Sequence, residues 1–101
     1  MAWTKAFPSA DGPEGEMRLF DGGPEPILVC RVNGEVHGVQ DTCTHDTWSL
    51  ADGFIEDGVV ECSLHFAKFC VRTGKVLALP ACKALKVYPA KVERDYIYID
   101  C

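Results

Sequence analysis

Long hydrophobic runs, a signal-peptide pattern and helical periodicity are all missing from this sequence of 101 residues. No apolar stretch approaches the roughly 20 residues of a transmembrane helix, so we expect no membrane contact. The first residues lack the basic-then-apolar order of a signal peptide, which makes a cytoplasmic location the expectation. With 10 basic and 15 acidic residues the net charge is −5, which argues against the basic face that nucleic-acid binding requires.

What remains is an ordinary globular composition, with 48% apolar and 25% charged residues. A chain of this length builds one modest core, and we expect a single domain over residues 1–101. Six cysteines would suffice for a disulfide framework, but such frameworks form in oxidising compartments. Reduced thiols and metal ligands are therefore the preferred interpretation of the cysteines.

Short β-branched or aromatic runs separated by turn residues predict an all-β protein. Asn33-Gly34 lies between two apolar runs and supplies the positive φ angles of a type I′ hairpin turn. Asp57-Gly58 and Arg94-Asp95 break the chain in similar places, and no convincing helix is indicated. The predicted strands cover residues 3–7, 16–20, 27–32, 35–40, 53–56, 59–62, 69–71, 75–79, 85–88, 91–93 and 96–100.

Two short motifs carry the chemistry: Cys43-Thr44-His45 and, after 16 intervening residues, Cys62-Ser63-Leu64-His65. Each offers one thiolate and one imidazole from a segment short enough for a single loop. The chain has only three histidines, and two of them lie within three positions of a cysteine. A Rieske [2Fe–2S] centre divides its ligands in this way, with both cysteines on one iron and both histidines on the other.

A structural zinc site is the main alternative, because two cysteines and two histidines also suit tetrahedral Zn²⁺. Zinc modules usually begin with Cys-x₂₋₄-Cys or end with His-x₃₋₅-His, and neither spacing occurs in this chain. The remaining alternative is chance spacing without any metal. The motifs therefore favour the iron–sulfur centre, and colour distinguishes it from a zinc-stabilised binding module.

Nearly the whole chain resembles the small Rieske ferredoxins of bacterial aromatic-ring dioxygenases of the toluene, biphenyl and cumene type. The resemblance implies an antiparallel β-sandwich of the Rieske fold, with an inserted cluster-binding subdomain at about residues 41–81. It also implies that a [2Fe–2S] cluster is bound by Cys43, His45, Cys62 and His65. The segments that carry the resemblance are 22–26, 39–45, 60–66, 68–75 and 79–82.

The function implied by this resemblance is one-electron transfer, without a catalytic site in the chain itself. A flavin-containing ferredoxin reductase would supply the electron, and the terminal oxygenase of an aromatic-hydrocarbon dioxygenase would receive it. A small Rieske subunit serving another reductase, such as a nitrite reductase, is the alternative redox role. An oxygenase site of two histidines and one carboxylate is excluded, because only His37 remains after the cluster ligands are assigned. As a lone carrier the protein is expected to be a monomer.

Several positions depart from the broader Rieske pattern. Asp46 and Thr47 follow the first motif where glycine is common, and Ser63 and Phe66 stand where proline and glycine are common. The extra cysteines of respiratory-type Rieske proteins are replaced by Trp48 and Leu64, and their hydroxyl residues near the cluster by Ala67 and Phe69. Because hydroxyl donors stabilise the reduced cluster, their loss predicts a potential near roughly −150 mV, at the low end of the Rieske range.

Five residues are predicted to form an apolar collar around the cluster, which either docks redox partners or shields the cluster from water. The collar residues are Trp48, Leu64, Phe66, Leu79 and Pro80. His37 is expected to be an ordinary packed or surface residue. Cys30 and Cys70 lie in apolar contexts and are predicted to be buried thiols. Cys82 is expected to fill a loop or the core, and Cys101 to be exposed.

Overall fold

Strand periodicity and tight turns organise the chain into antiparallel sheets. The computed structural model describes residues 2–44, 47–63, 66–79 and 83–101. These residues form β1 (Trp3–Pro8), β2 (Met17–Phe20), β3 (Ile27–Val32), β4 (Glu35–Gln40), β5 (Phe54–Glu56), β6 (Val59–Glu61), β7 (Lys68–Cys70), β8 (Val76–Ala78), β9 (Val87–Tyr88), β10 (Ala90–Glu93) and β11 (Tyr96–Asp100). The strand ends agree with the sequence prediction to within two residues.

Three hairpins each turn on a pair of residues with positive φ angles. One of these pairs, Arg94 and Asp95, joins β10 to β11 with φ angles of 51° and 67°. Asn33 and Gly34 have φ angles of 52° and 83°, which confirms the type I′ turn between β3 and β4. The pair Asp57 and Gly58 has angles of 52° and 76°, and it joins β5 to β6 in the same manner. These turns match the right-handed twist of the strands and so fix the register of each hairpin.

The strands form three antiparallel sheets, in the orders β1-β11-β10, β2-β3-β4-β9 and β5-β6-β7-β8. The third sheet comes entirely from one continuous stretch, residues 54–78, which lies between β4 and β9 in the chain. The other two sheets are built from segments on either side of that stretch. The prediction of an all-β antiparallel architecture is confirmed.

Strand β3 lies between two hydrophobic cores, which explains its continuous apolar run. Leu28, Cys30 and Val32 pack in a core with residues of the third sheet, including Val60 and Phe69. The alternating residues Ile27 and Val29 pack on the other side, in a core that includes Ile97 and Ile99 of β11. Because successive side chains of a strand point to opposite faces, only a strand buried on both faces needs such a run.

Two single turns of 3-10 helix, Ser9–Asp11 and Leu50–Asp52, were not predicted from the sequence. Each is three residues long, which is too short to produce a periodic apolar pattern. The second turn matters for the site, because it leads the chain from the first motif into β5. No helix in the described ranges has the length and apolar character needed to cross a bilayer.

Candidate metal centre

The structure places both motif cysteines in the same hydrophobic core. Cys43 lies just beyond the end of β4 and is 3% exposed, and Cys62 directly follows β6 and is fully buried. Both belong to the cluster of buried side chains that includes Leu50, Val60 and Phe69. The two thiols predicted to be ligands therefore belong to the same core, although they follow strands of two different sheets.

The histidines of the two motifs, His45 and His65, lie outside the described residues. They remain predicted ligands, because nothing in the structure tests their positions. Within the ranges the structure describes, no group of three or more His, Cys, Asp or Glu side chains is arranged to hold a metal ion.

Both cysteines begin a short loop that closes in the same way. The backbone N–H of Cys43 donates a hydrogen bond to the carbonyl of Trp48 at 2.8 Å. The backbone N–H of Cys62 donates to the carbonyl of Ala67, also at 2.8 Å. In each case a cysteine pairs with the residue five positions later, so each predicted histidine falls inside a closed loop. We call residues 43–48 the first ligand loop and residues 62–67 the second.

A buried carboxylate holds the base of the first ligand loop. Asp41 is 4% exposed and accepts a hydrogen bond from the Ser49 hydroxyl at 2.5 Å and from the Ala51 backbone N–H at 2.9 Å. Its own backbone carbonyl accepts from the Leu50 N–H at 2.8 Å. A buried carboxylate needs such partners, because leaving it unpaired would carry a large desolvation cost. No local pattern in the sequence indicates this role of Asp41.

Two further hydrogen bonds tie the first ligand loop to its surroundings. The indole Nε1–H of Trp48 donates to Oγ of Ser63, in the second ligand loop, at 2.8 Å. The hydroxyl of Thr44 donates to the backbone carbonyl of Lys83 at 2.5 Å. Both contacts join segments far apart in sequence, and neither was predicted.

Three of the predicted collar residues are described, and all three expose large apolar side chains. Trp48 is 45% exposed, Phe66 63% and Leu79 80%. Leu64 and Pro80 lie outside the described residues. Phe66 has a φ of 62°, a left-handed conformation that non-glycine residues rarely adopt. The glycine common at this position in the Rieske pattern is thus replaced by a phenylalanine that keeps a glycine-like backbone.

Three of the remaining cysteines, Cys30, Cys70 and Cys101, are described, and their environments differ. Cys30 is buried as predicted, and burial, reinforced by the Glu14 carboxylate, raises the pKa of its thiol to about 12. The prediction of a buried Cys70 was wrong, since its side chain is half-buried at the end of β7. Partial burial there opposes ionisation, but hydrogen bonds from Thr73 and Arg72 outweigh it and lower the pKa of the Cys70 thiol.

Cys101 was predicted to be exposed, and it is instead half-buried. Its backbone pairs with that of Ala2 through two hydrogen bonds of 3.2 and 3.3 Å, which extends the pairing of β11 with β1. Its side chain packs against the core that contains Ile27. This position depends on long-range strand pairing, which the last residue of a sequence does not reveal. Cys82 lies outside the described residues.

His37 lies on β4, and its ring is partly buried, as the sequence suggested. Burial and the nearby Arg72 lower the pKa of its imidazole, while Glu35 acts in the opposite direction. The ring is on a strand of the second sheet and belongs to neither ligand loop. Its environment supports an ordinary packed residue.

The described donors fit a Rieske cluster. Two thiols in an apolar core can supply the soft, negatively charged ligands of one iron. The two buried cysteines supply the thiolate half of the predicted ligand set, and His45 and His65 stay predicted ligands.

Comparisons with known proteins also indicate a Rieske [2Fe-2S] domain. The family model of the Rieske [2Fe-2S] domain matches residues 2–89. The chain is 56% identical over 100 residues to the biphenyl 2,3-dioxygenase ferredoxin component of Rhodococcus jostii (strain RHA1), covering 99% of this chain and 94% of the relative.

Solved structures agree in fold. One similar chain belongs to a complex of reduced oxygenase and oxidized ferredoxin in carbazole 1,9a-dioxygenase, with a TM-score of 0.91, 31% identity and coverage of 97% of this chain and 92% of the other. The Sphingomonas yanoikuyae B1 ferredoxin has a TM-score of 0.92 at 28% identity and 99% coverage of each chain.

Proposed function

Because the chain belongs to the Rieske [2Fe-2S] domain family and carries a Rieske-type cluster, we propose the following role, ligands and partners. It acts as the ferredoxin component of a ring-hydroxylating dioxygenase system for an aromatic hydrocarbon. It is an electron carrier rather than a catalytic component. The observation that supports this most directly is the pair of buried thiols, Cys43 and Cys62, at the bases of two similarly closed loops.

Cys43 and Cys62 are the proposed thiolate ligands of the inner iron, and His45 and His65 the proposed imidazole ligands of the outer iron. When bound, the cluster accepts one electron and returns it. The cysteines lie in the core, where apolar side chains keep water from the thiolate sulfurs. Each histidine follows its cysteine by two or three residues, before the loop closes at Trp48 or Ala67.

The residues around the second cysteine support a low reduction potential. Ala67 and Phe69 are both fully buried, and neither side chain can donate a hydrogen bond to a cluster sulfur. Without such donors the additional electron of the reduced state is stabilised less. We expect a midpoint potential of roughly −150 mV by protein-film voltammetry, and a value above about +100 mV would contradict this expectation.

The proposed partners are a flavin-containing ferredoxin reductase and a terminal oxygenase. The oxygenase is supported by the similar chain found in an oxygenase–ferredoxin complex. The exposed apolar side chains of Trp48 and Phe66, within the two ligand loops, and of Leu79 are the proposed contact residues for these partners. An acidic chain of net charge −5 is also suited to steering towards basic patches on both partners.

The proposed cluster-binding subdomain covers about residues 41–81, and its support is the third sheet together with the two ligand loops. The remaining strands form the base of the same single domain, residues 1–101. We also propose that the carrier is a monomer in the cytoplasm, where thiols remain reduced.

Low-temperature EPR of the dithionite-reduced protein, combined with iron and zinc analysis, tests the cluster proposal. The expected result is a rhombic signal of low average g-value with two irons per chain. A colourless, EPR-silent protein containing zinc would contradict the proposal. Oxidation of the reduced carrier by a biphenyl-type terminal oxygenase, followed by stopped-flow absorbance, then tests the partner.

A further inference from the structure

The hydrogen bond between Trp48 and Ser63 connects the two ligand loops directly. The indole Nε1–H of Trp48 lies 2.8 Å from Oγ of Ser63. Trp48 is the residue whose backbone carbonyl closes the first ligand loop, and Ser63 immediately follows Cys62. The bond therefore joins the closing residue of one loop to the neighbour of a proposed ligand in the other.

The bases of the loops are already fixed, because Cys43 and Cys62 are buried in a common core. The described residues of both loops lie outside the strands, and each loop closes through a backbone N–H to carbonyl bond at Cys43 or Cys62. A cluster that bridges two loops needs a fixed separation between them. A side-chain bond across the loops supplies a constraint that the core alone does not.

Packing covers only part of the Trp48 side chain. The exposed fraction of Trp48 is 45%, the same as that of Trp3, which lies on β1 and outside both ligand loops. Because the side chain is nearly half exposed, the hydrogen bond to Ser63 contributes to the orientation of the indole N–H. The two tryptophans thus form a natural pair for comparison, since only Trp48 reaches the second ligand loop.

We propose that Trp48 and Ser63 are positioning residues that hold the two ligand loops at the separation the cluster requires. This inference rests on the proposed assignment of the loops as cluster ligands. Neither residue touches the reacting iron in this account. Each acts by restricting the motion of the loop that carries a ligand, so losing the bond loosens the cluster without removing a ligand.

Release of the cluster from the holoprotein tests the proposal. Trp48→Phe replaces the indole with a smaller aromatic ring that has no N–H, Ser63→Ala removes the acceptor, and the double variant removes both. Loss of visible absorbance in excess iron chelator gives the rate. We expect each single variant to release the cluster about three- to ten-fold faster, which is the range of one net hydrogen bond. The double variant should be no faster than the faster single variant, because the same bond is lost in all three.

Two controls separate positioning from a general loss of stability. Trp3→Phe removes an equally exposed indole N–H and should leave the release rate unchanged. Ser63→Thr retains the hydroxyl and should restore a nearly wild-type rate. The EPR spectrum of the reduced protein should broaden in Trp48→Phe and Ser63→Ala, since a looser pair of loops spreads the ligand geometry, and it should sharpen again in Ser63→Thr.

Single variants that release the cluster at the wild-type rate would overturn the proposal, as would effects that multiply in the double variant. A wild-type protein without the mixed-ligand EPR signal would instead overturn the proposed function, and this inference with it. The wild-type spectrum is recorded first, so the two failures are distinguished before any variant is compared.

Discussion

The two ligand loops close with the same hydrogen bond but are supported in different ways. The first ligand loop rests on side chains: the Asp41 carboxylate binds Ser49 and Ala51, and the Thr44 hydroxyl reaches Lys83. The second ligand loop continues a hairpin, because it connects the paired strands β6 and β7. The same six-residue closure thus depends on polar side chains in one loop and on backbone geometry in the other.

This difference implies different sensitivities to substitution. A hydrogen bond to a side chain is lost when the accepting atom is changed. The first ligand loop should therefore be sensitive to isosteric replacements at Asp41. A hairpin loop depends on strand register and φ angles, so the second should respond mainly to changes in backbone freedom, above all at Phe66 with its φ of 62°. Substitutions of the two cysteines, of Asp41 and of Phe66 test this comparison, beginning with the largest expected effect, and Glu14 provides a site far from both loops.

Removing a thiol should abolish cluster binding equally in both loops. Cys43→Ala and Cys62→Ala each delete one of the two proposed ligands of the inner iron, so both proteins should be isolated without visible absorbance or bound iron. Cys30→Ala is the matched control, since Cys30 is equally buried in the same core and should leave the cluster in place. Full iron content in either ligand variant would refute the assignment.

Asp41→Asn should weaken the first ligand loop while leaving the second intact. The amide nitrogen cannot accept the bonds that the carboxylate receives, and leaving buried groups poorly paired costs about 1–3 kcal/mol. For a domain of this size, that corresponds to a decrease of roughly 5–15 °C in the apparent melting temperature. Calorimetry of the holoprotein measures the effect. Asp52→Asn, at an exposed position nearby, should change the midpoint by much less.

Phe66→Gly should stabilise the second ligand loop and slow electron transfer. A left-handed conformation costs a non-glycine residue about 1–2 kcal/mol, of which the flexibility of glycine in the unfolded chain cancels roughly half. We expect the melting temperature to rise by a few degrees, about 4–8 °C per kcal/mol. Reoxidation by the oxygenase should become slower, because the exposed ring of the collar is removed.

The control for this substitution is Phe54→Gly. Phe54 has nearly the same exposure, 62% against 63% for Phe66, but it lies in β5. Glycine weakens a strand, so Phe54→Gly should lower the melting temperature where Phe66→Gly raises it. Changes of the same sign would show that the backbone of Phe66 is not the cause.

The smallest effect is expected far from both loops, at Glu14. Its carboxylate accepts hydrogen bonds from the backbone N–H groups of Gly34 and Asn33, at 2.8 and 2.7 Å, and these bonds lower its pKa from the ordinary value of 4.5. Because the folded-state pKa is the lower one, the stabilisation is complete above pH 4.5 and disappears as the pH falls through the folded-state value.

Thermal midpoints of the wild type and Glu14→Gln, measured at neutral and acidic pH, check this dependence. The difference between the two proteins should be constant near neutrality and shrink in acid. Glu16→Gln serves as the control, because Glu16 is exposed and close in sequence. A difference that grows as the pH falls would contradict the expected sign.

Local patterns predicted much of this structure. The alternation of side chains located the strands, and Asn33-Gly34 and Asp57-Gly58 located hairpin turns, because both signals depend on neighbouring residues. The spacing of Cys43 and Cys62 from their histidines indicated the cofactor for the same reason. Long-range features escaped prediction: the burial of Asp41, the pairing that half-buries Cys101, and the half-exposure of Cys70.

By itself, then, the sequence determined the strands, the turns and the pair of Cys/His motifs, since these follow from backbone preferences and ligand chemistry over a few residues. Only the tertiary structure decided which strands pair into each sheet, that both cysteines share one core, and that Trp48 meets Ser63 across the ligand loops. Those arrangements depend on contacts between residues distant in the chain, where no local pattern specifies the partner.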